Sequence, residues 1–250
     1  VYVGGDSYQI GKMAGAHASS ILPNEATILE VWGTKTTSPA IERHQGFIDG
    51  LDKSKTFNFL SVEGKWRREI SKKETEKLSN HNSIDLVYAH NDVMAIGARE
   101  AIASRDSTLL SNITIMGVDG AFGKDAGLEA VSDGRLDASF LYPTGGDEVI
   151  KIAMKILSNE PVKREYILKS TRIIDKNTAQ TLLLQSDQLM NYQSKIEQQK
   201  NNLDTIINNF SVLRHSLLLI LLLTALLLIF SIYIYIINGK IHRRNNHLRL

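Results

Sequence analysis

Residues 84–101 read IDLVYAHNDVMAIGAREA, and the change of pattern halfway along decides the fold class. Positions 84–89 form a short run of β-branched, aromatic and aliphatic residues, the composition of a buried strand. Beyond His90 the period changes: Met94, Ala98 and Ala101 recur at helical spacing within 93–103. Asn91 and Asp92 lie between, where short polar side chains can cap the first free N–H groups of a helix. Capping is the whole role expected of Asp92. A strand that runs directly into a capped helix is one half of a β–α–β crossover.

The same alternation extends in both directions. Strands are expected at 26–32, 57–62, 113–118 and 136–141, with helices at 7–22, 39–52, 67–79 and 123–132 among them. Ser38-Pro39 reads as an N-cap followed by proline at the first helical position. A further helix over 147–157, capped by Asp147, leads to a strand over 163–168. The fold class is α/β, a parallel sheet flanked by helices.

From about residue 177 the pattern turns polar and helical without breakers. With Leu182 at heptad position a, Leu189, Ile196, Leu203 and Phe210 also fall at a, and Gln185, Tyr192, Gln199, Ile206 and Leu213 fall at d. This is the pattern of a parallel two-stranded coiled-coil stalk over 176–215, weakened at the glutamines and Tyr192. A lone helix packed on the domain is the alternative. The stalk runs into SLLLILLLTALLLIFSIYIYII, residues 216–237, enough to cross a bilayer core of about 30 Å as a helix. After it come Lys240, Arg243, Arg244 and Arg249 with no acidic residue, and such flanks stay cytoplasmic. The expected order is an external domain over 1–175, the stalk, a transmembrane helix over 216–237 and a basic internal tail over 238–250.

A net charge of +2 is too balanced to suggest a nucleic-acid partner. The chain has no cysteine, so no disulfide framework exists. It begins VYVGGDSYQIG, without Met or a signal peptide and inside a strand–turn–helix unit, and it ends NNHLRL where a cytoplasmic helix would begin. Both ends read as cut from a longer protein.

In an open α/β sheet, ligands bind beyond the carboxyl ends of the strands. Trp66 follows FNFLSVEGK, Asn91 follows IDLVYAH, Asp119 follows ITIMGV and Tyr142 follows LDASFL, while Arg43 lies one turn into the helix after ILEVWG. This mixture suits a sugar. Asp119 can accept from hydroxyls, Arg43 offers a two-pronged donor, Asn91 does both, and an aromatic plane such as Trp66 packs on the C–H face of the ring. Each has a plainer reading: Arg43 as a solvated helix residue, Trp66 and Tyr142 as core aromatics, Asn91 as a cap, Asp119 as a turn residue. Their joint placement at strand ends outweighs these.

Other signals carry less. Gly145 to Val149 (GGDEV) resembles the start of the diguanylate cyclase signature, but it opens a helix on the side of the membrane away from GTP. Gly4-Gly5 lacks the Lys-Ser/Thr of a phosphate loop. His17, His44, His81 and His90 lack metal-ligand spacing and are expected to be exposed or capping. No acid–base pair or Ser/His/Asp set can be assembled, so no catalytic residue, metal or cofactor is expected.

GTKTTSPAIERHQGF (33–47), LVYAHNDVMAIGAREA (86–101) and ITIMGVDG (113–120) resemble, in order, the second lobe of type I periplasmic sugar-binding proteins, the ribose-binding and LacI-like group. GGDSYQIGKMAG (4–15) and GLEAVSDGRLDASFLYP (127–143) are similar to that family's two crossings between lobes. The resemblance covers about residues 1–175. It implies that Arg43, Trp66, Asn91 and Asp119 contact the ligand. Tyr142 falls where ribose-type members have a glutamine near the hinge, and Trp66 where they often have phenylalanine, which departs from ribose specificity. It also implies that most of the first lobe is not in this chain. Only the strand over 1–4, the helix from Asp147 and the strand from Lys163 would belong to it, so the chain alone is expected to bind sugar poorly.

The layout is similar to the extracytoplasmic part of hybrid two-component histidine kinases. The resemblance implies a carbohydrate sensor with a periplasmic domain and a single pass through a bacterial inner membrane. Lobe closure would be relayed through a homodimeric stalk to a histidine kinase beyond Leu250. The competing expectation is a membrane-tethered sugar-binding protein that serves a transporter. The membrane span argues against a LacI-type repressor.

Overall fold

A computed structural model describes residues 1–79, 81–169 and 173–247. The end of the basic tail, Arg249 included, lies outside the described residues. The chain divides into two compact units, Val1–Ser186 and Asp187–Leu250. The elements are β1 (Tyr2–Gly5), α1 (Ser7–Ile21), β2 (Glu25–Trp32), α2 (Ser38–Gly50), β3 (Thr56–Glu63), α3 (Arg68–Glu76), β4 (Leu86–Ala89) and α4 (Asp92–Arg105). They continue with β5 (Thr114–Asp119), α5 (Gly127–Ser132), β6 (Ala138–Leu141), α6 (Gly146–Leu157), β7 (Glu165–Leu168), β8 (Ile173–Ile174) and α7 (Lys176–His247).

Six strands form one sheet in the order β3-β2-β4-β5-β6-β8, and β1 pairs with β7 in a separate parallel pair. From β3 to β6 every neighbouring pair is parallel, and β8 closes the edge antiparallel to β6. Every strand and helix expected from the sequence is present with shifted ends. β8 was not anticipated: two residues are too short to show a period.

Alternation along the strands splits the core in two. Leu29, Val31, Val87 and Ile115 join Met94, Ile96 and Ile102 of α4 on one face. Ile28, Leu86, Tyr88 and Phe140 join Ile10 of α1 and Phe47 of α2 on the other. Burying each such side chain contributes about 1.5–3 kcal/mol. Phe47 stacks on Tyr88 at 4.1 Å between ring centres, which fixes α2 on the sheet.

α1 and α2 meet backbone to backbone. A Cβ added at Gly46 would sit 2.0 Å from the Tyr8 carbonyl oxygen, and one at Gly11 would sit 2.2 Å from that of Arg43. Any larger residue would push α2, and Arg43 with it, off the sheet.

The caps differ in part from expectation. Asn91 does cap α4, its Oδ1 accepting from the Met94 N–H at 3.0 Å. Ser38 is not the cap of α2: that place falls to Thr37, whose hydroxyl donates instead to the Thr34 carbonyl at 2.8 Å. Asp147 does not cap α6 either. Gly145, at φ +61, holds the cap position, and Asp147 in the first turn pairs with Lys151 at 3.1 Å.

α6 exposes Val149, Ile150, Met154, Ile156 and Leu157, an apolar face without cover among the described residues. α7 is the one described helix long and apolar enough to cross a membrane. Its side chains at Leu189, Ile196, Leu203 and Phe210 are exposed, as are those from Leu217 to Leu223.

Candidate functional site

Because β2 to β6 run parallel, their carboxyl ends share one edge of the sheet, and the five residues singled out from the sequence follow those ends. The buried Arg43 side chain is the centre of the group. Its guanidinium carbon lies 5.6 Å from the centre of the Trp66 ring and 5.1 Å from that of Tyr142, so a cation sits between two aromatic faces. Its Nη1 donates to the carbonyl of His90 and lies 3.7 Å from Asp119 Oδ1. Its Nε is buried without a partner among the described residues, and an orphaned donor of this kind costs about 1–3 kcal/mol until something accepts from it.

Two of these residues hold unusual backbone. Trp66 has φ +63 and Asp119 has φ +121, a region that L side chains seldom adopt and that is concentrated at functional sites. Gly33 accommodates the first: a Cβ there would lie 2.2 Å from Trp66 Cζ2. Asp119 keeps 40% of its side chain exposed. Removal of the remainder from water pushes its pKa up to about 6, with Arg43 opposing. Tyr142 ties this rim to the small sheet, its hydroxyl accepting from the Gly5 N–H at 3.0 Å.

Arg43 thus adjoins Trp66, Asp119 and Tyr142 and gathers them at one edge of the sheet. Asn91 shares no hydrogen bond or ion pair with them among the described residues; it adjoins through His90, whose carbonyl receives Arg43. Beside Asp119 and Tyr142 opens a cavity of about 560 Å³, lined also by Phe122, Leu141 and Pro143, a volume suited to a small ligand. Phe122 is 55% exposed there and was passed over in the sequence.

Asp92 does not cap α4: Asn91 holds that place, and Asp92, the first residue of the helix, turns its carboxyl to the neighbouring strands instead. It is buried, accepting from the Ser139 hydroxyl at 2.6 Å and from the Gly120 N–H at 2.8 Å. Added Cβ atoms at Gly117 and Gly127 would meet its oxygens at 2.2 and 1.8 Å, so both positions stay bare to admit it. Asp92 therefore anchors the turn that presents Asp119. Burial pushes its pKa up to about 8, against the Ser139 bond and with the help of Asp119.

The histidines also depart from expectation. His90 and His81 are buried, and His81 Nε2 meets the Thr75 carbonyl at 2.8 Å. His90 lies against Glu30, a buried carboxylate on β2 that the sequence reading missed. Its signal was a charge inside the apolar run ILEVW, which burial makes costly without partners. Trp32, also missed, lies 4.3 Å from the His44 ring and 5.1 Å from that of His90. Among the described residues no group of histidine and carboxylate side chains is placed to hold a metal ion.

Comparison with known proteins agrees with the fold. Residues 1–161 match the family described as periplasmic binding protein domain. The ribose import binding proteins of Haemophilus influenzae and Escherichia coli are 31% and 30% identical over 166 and 169 residues, or 65% and 66% of this chain. Those matches take in 54% and 55% of the relatives, so the chain spans about half their length. Among solved structures, the fructose-binding periplasmic domain of a hybrid two-component system has a TM-score of 0.72 at 36% identity, covering 79% of this chain and 65% of that one. A Mycobacterium smegmatis protein in complex with β-D-fucofuranose has a TM-score of 0.67 at 27% identity, covering 77% and 64%. With its parallel sheet covered by helices on both faces and a family match over residues 1–161, the chain belongs to the periplasmic binding protein domain family.

Proposed function

We propose that residues 1–175 bind a small sugar and that the parent protein is a transmembrane sensor with a cytoplasmic histidine kinase. The observation that carries the first half is the Arg43 guanidinium held between Trp66 and Tyr142 with Asp119 beside it. Such a cluster offers a hydroxyl-rich ring a forked donor, a carboxylate acceptor and aromatic faces. Arg43, Trp66, Asn91, Asp119 and Tyr142 are its contacts. The exposed apolar face of α6 supports a first lobe elsewhere in the parent, closing over the sugar.

The likeness to the fructose-binding domain of a hybrid two-component system supports the sensor half. In this reading residues 176–215 pair two chains through Leu189, Ile196, Leu203 and Phe210, residues 216–237 cross the inner membrane, and residues 238–250 are cytoplasmic, leaving the large domain in the periplasm. Sugar shifts the equilibrium only in so far as the closed lobes bind it better than the open ones, and closure repositions the paired helices. The ribose import relatives favour a second reading, a tethered binding protein that hands sugar to a transporter.

The test uses the native membrane protein in nanodiscs, titrated with D-fructose and D-ribose by calorimetry while autophosphorylation is followed. Binding that Arg43→Ala weakens at least about tenfold, with phosphorylation that changes on sugar addition, is expected. Unaltered binding by Arg43→Ala refutes the site; binding without any change in phosphorylation favours the transport reading.

A further inference from the structure

Glu30 is a carboxylate in the middle of the sheet with 2% of its surface exposed. It accepts from His44 Nδ1 at 2.9 Å and from His90 Nε2 at 3.0 Å. Burial alone would raise its pKa, but the bonds from the two histidines outweigh that and hold it below its ordinary value, so it is ionised. The other nitrogen of His90, Nδ1, faces the Gly33 N–H at 3.3 Å. A backbone amide only donates, so Nδ1 accepts, and the neutral ring carries its proton on Nε2 toward Glu30. Gly33 begins the segment between β2 and α2, and the carbonyl of His90 itself receives Arg43. One ring thus joins the approach to α2, the strand end that receives the guanidinium, and a buried charge.

We propose that Glu30 and His90 are positioning residues for the ligand-binding arginine: Glu30 fixes His90 as a ring with one donor and one acceptor, and that ring sets the Gly33 segment and the direction of the Arg43 fork. This rests on Arg43 being a sugar contact, and it asks for no contact between the sugar and either positioning residue. The surroundings fit. The charged and titratable groups facing the His90 ring are Glu30 on β2, Arg43 and His44 on α2 and Tyr88 on β4, while Asp119 on β5 balances Arg43. A proton on Nδ1 would turn a second donor toward the Gly33 amide and place a cation near Arg43. Burial first, and Arg43 after it, keep the His90 pKa below that of ordinary histidine against the pull of Glu30. The arrangement therefore holds through neutral pH and fails only in acid.

The test compares Glu30→Gln, His90→Leu and His90→Gln in the ¹⁵N-labelled native membrane protein in nanodiscs. A glutamine at 90 supplies one acceptor and one donor without charge, so it should rescue what leucine loses. In the parent and in His90→Gln the Arg43 guanidinium rotates slowly and shows separate Nη resonances. In Glu30→Gln and His90→Leu those resonances merge, and calorimetric affinity for D-fructose or D-ribose falls about tenfold, the scale of one charge-assisted hydrogen bond. Separate Nη resonances retained in both Glu30→Gln and His90→Leu overturn the proposal. Failure of the sugar reading is distinct: neither sugar binds, or Arg43→Ala binds as the parent does, while the Nη resonances still decide whether Glu30 and His90 hold the guanidinium.

Discussion

Replacing Asp92 by asparagine should change the pH dependence of stability in a way that its geometry specifies. The carboxyl lies among Ser139, Gly120, Gly117 and Gly127, with no ion-pair partner among the described residues, and burial lifts its pKa from 3.8 to about 8 against a weaker pull from Arg43. A protonated acid fits this site: Oδ2 accepts from the Gly120 N–H, and the 2.6 Å contact between Oδ1 and the Ser139 hydroxyl admits a proton on either oxygen. A carboxyl pKa raised by folding stabilises the native state below the unfolded pKa, and that contribution is lost as pH climbs toward the folded value. Between about pH 5 and pH 7 the native side chain holds a proton that the unfolded chain has released. The parent should therefore lose about 1.4 kcal/mol per pH unit from this group, about 3 kcal/mol in all. Asparagine reproduces the bonding of the neutral acid, with Oδ1 toward Gly120 and Nδ2 toward the Ser139 hydroxyl, and does not titrate. Urea unfolding followed by the emission of Trp32 and Trp66 should thus show Asp92→Asn gaining about 3 kcal/mol on the parent across that interval. Parallel stability curves for the two proteins would refute the buried, protonated Asp92.

Asp119, with a pKa near 6, accepts from sugar hydroxyls most strongly when ionised, so affinity should fall as pH drops below about 6. Calorimetry from about pH 5 to pH 8 checks this, and Asp119→Asn should bind weakly with a flat profile. Gly46→Ala, whose Cβ would meet the Tyr8 carbonyl oxygen at 2.0 Å, should destabilise the domain by about 1–3 kcal/mol and weaken binding by displacing Arg43. Thermal unfolding beside sugar titration reads both effects. Cysteines at Leu203 and Phe210 should crosslink between chains in membranes; their failure to do so removes the paired stalk.

The α/β alternation was legible because each strand–helix junction changes period within a few residues, as Ile84 to Ala101 does. Four of the five proposed contacts meet because parallel strands deliver their ends to one edge, a rule of topology that needs no knowledge of side-chain packing. What escaped depends on partners far along the chain. Asp92 and Ser139 lie 47 residues apart, and nothing local distinguishes an aspartate that caps from one that anchors a distant turn. The cap of α2 escaped for the opposite reason. Thr37 and Ser38 are adjacent and chemically alike, and only the backbone separates them: Thr37 is extended, at φ −93 and ψ 141, while Ser38 is already helical.

Glu30 is a different kind of miss, since its signal was present. A carboxylate between Leu29 and Val31 on a buried strand requires donors, and His44 and His90 were the histidines set aside as exposed or capping. The buried polar residues are not spread evenly. Among the described residues Glu30, Arg43, His90, Asn91, Asp92 and Ser139, six of the eleven buried polar or charged side chains, adjoin the rim that presents Arg43 and Asp119. Apolar replacements of similar volume would often leave the fold no less stable, so stability alone gives weak reason for so many buried polar groups in one place. Their common effect is to fix direction: each bond restricts where a guanidinium or carboxylate at the strand ends can point. That is the requirement of a site that distinguishes one arrangement of hydroxyls from another.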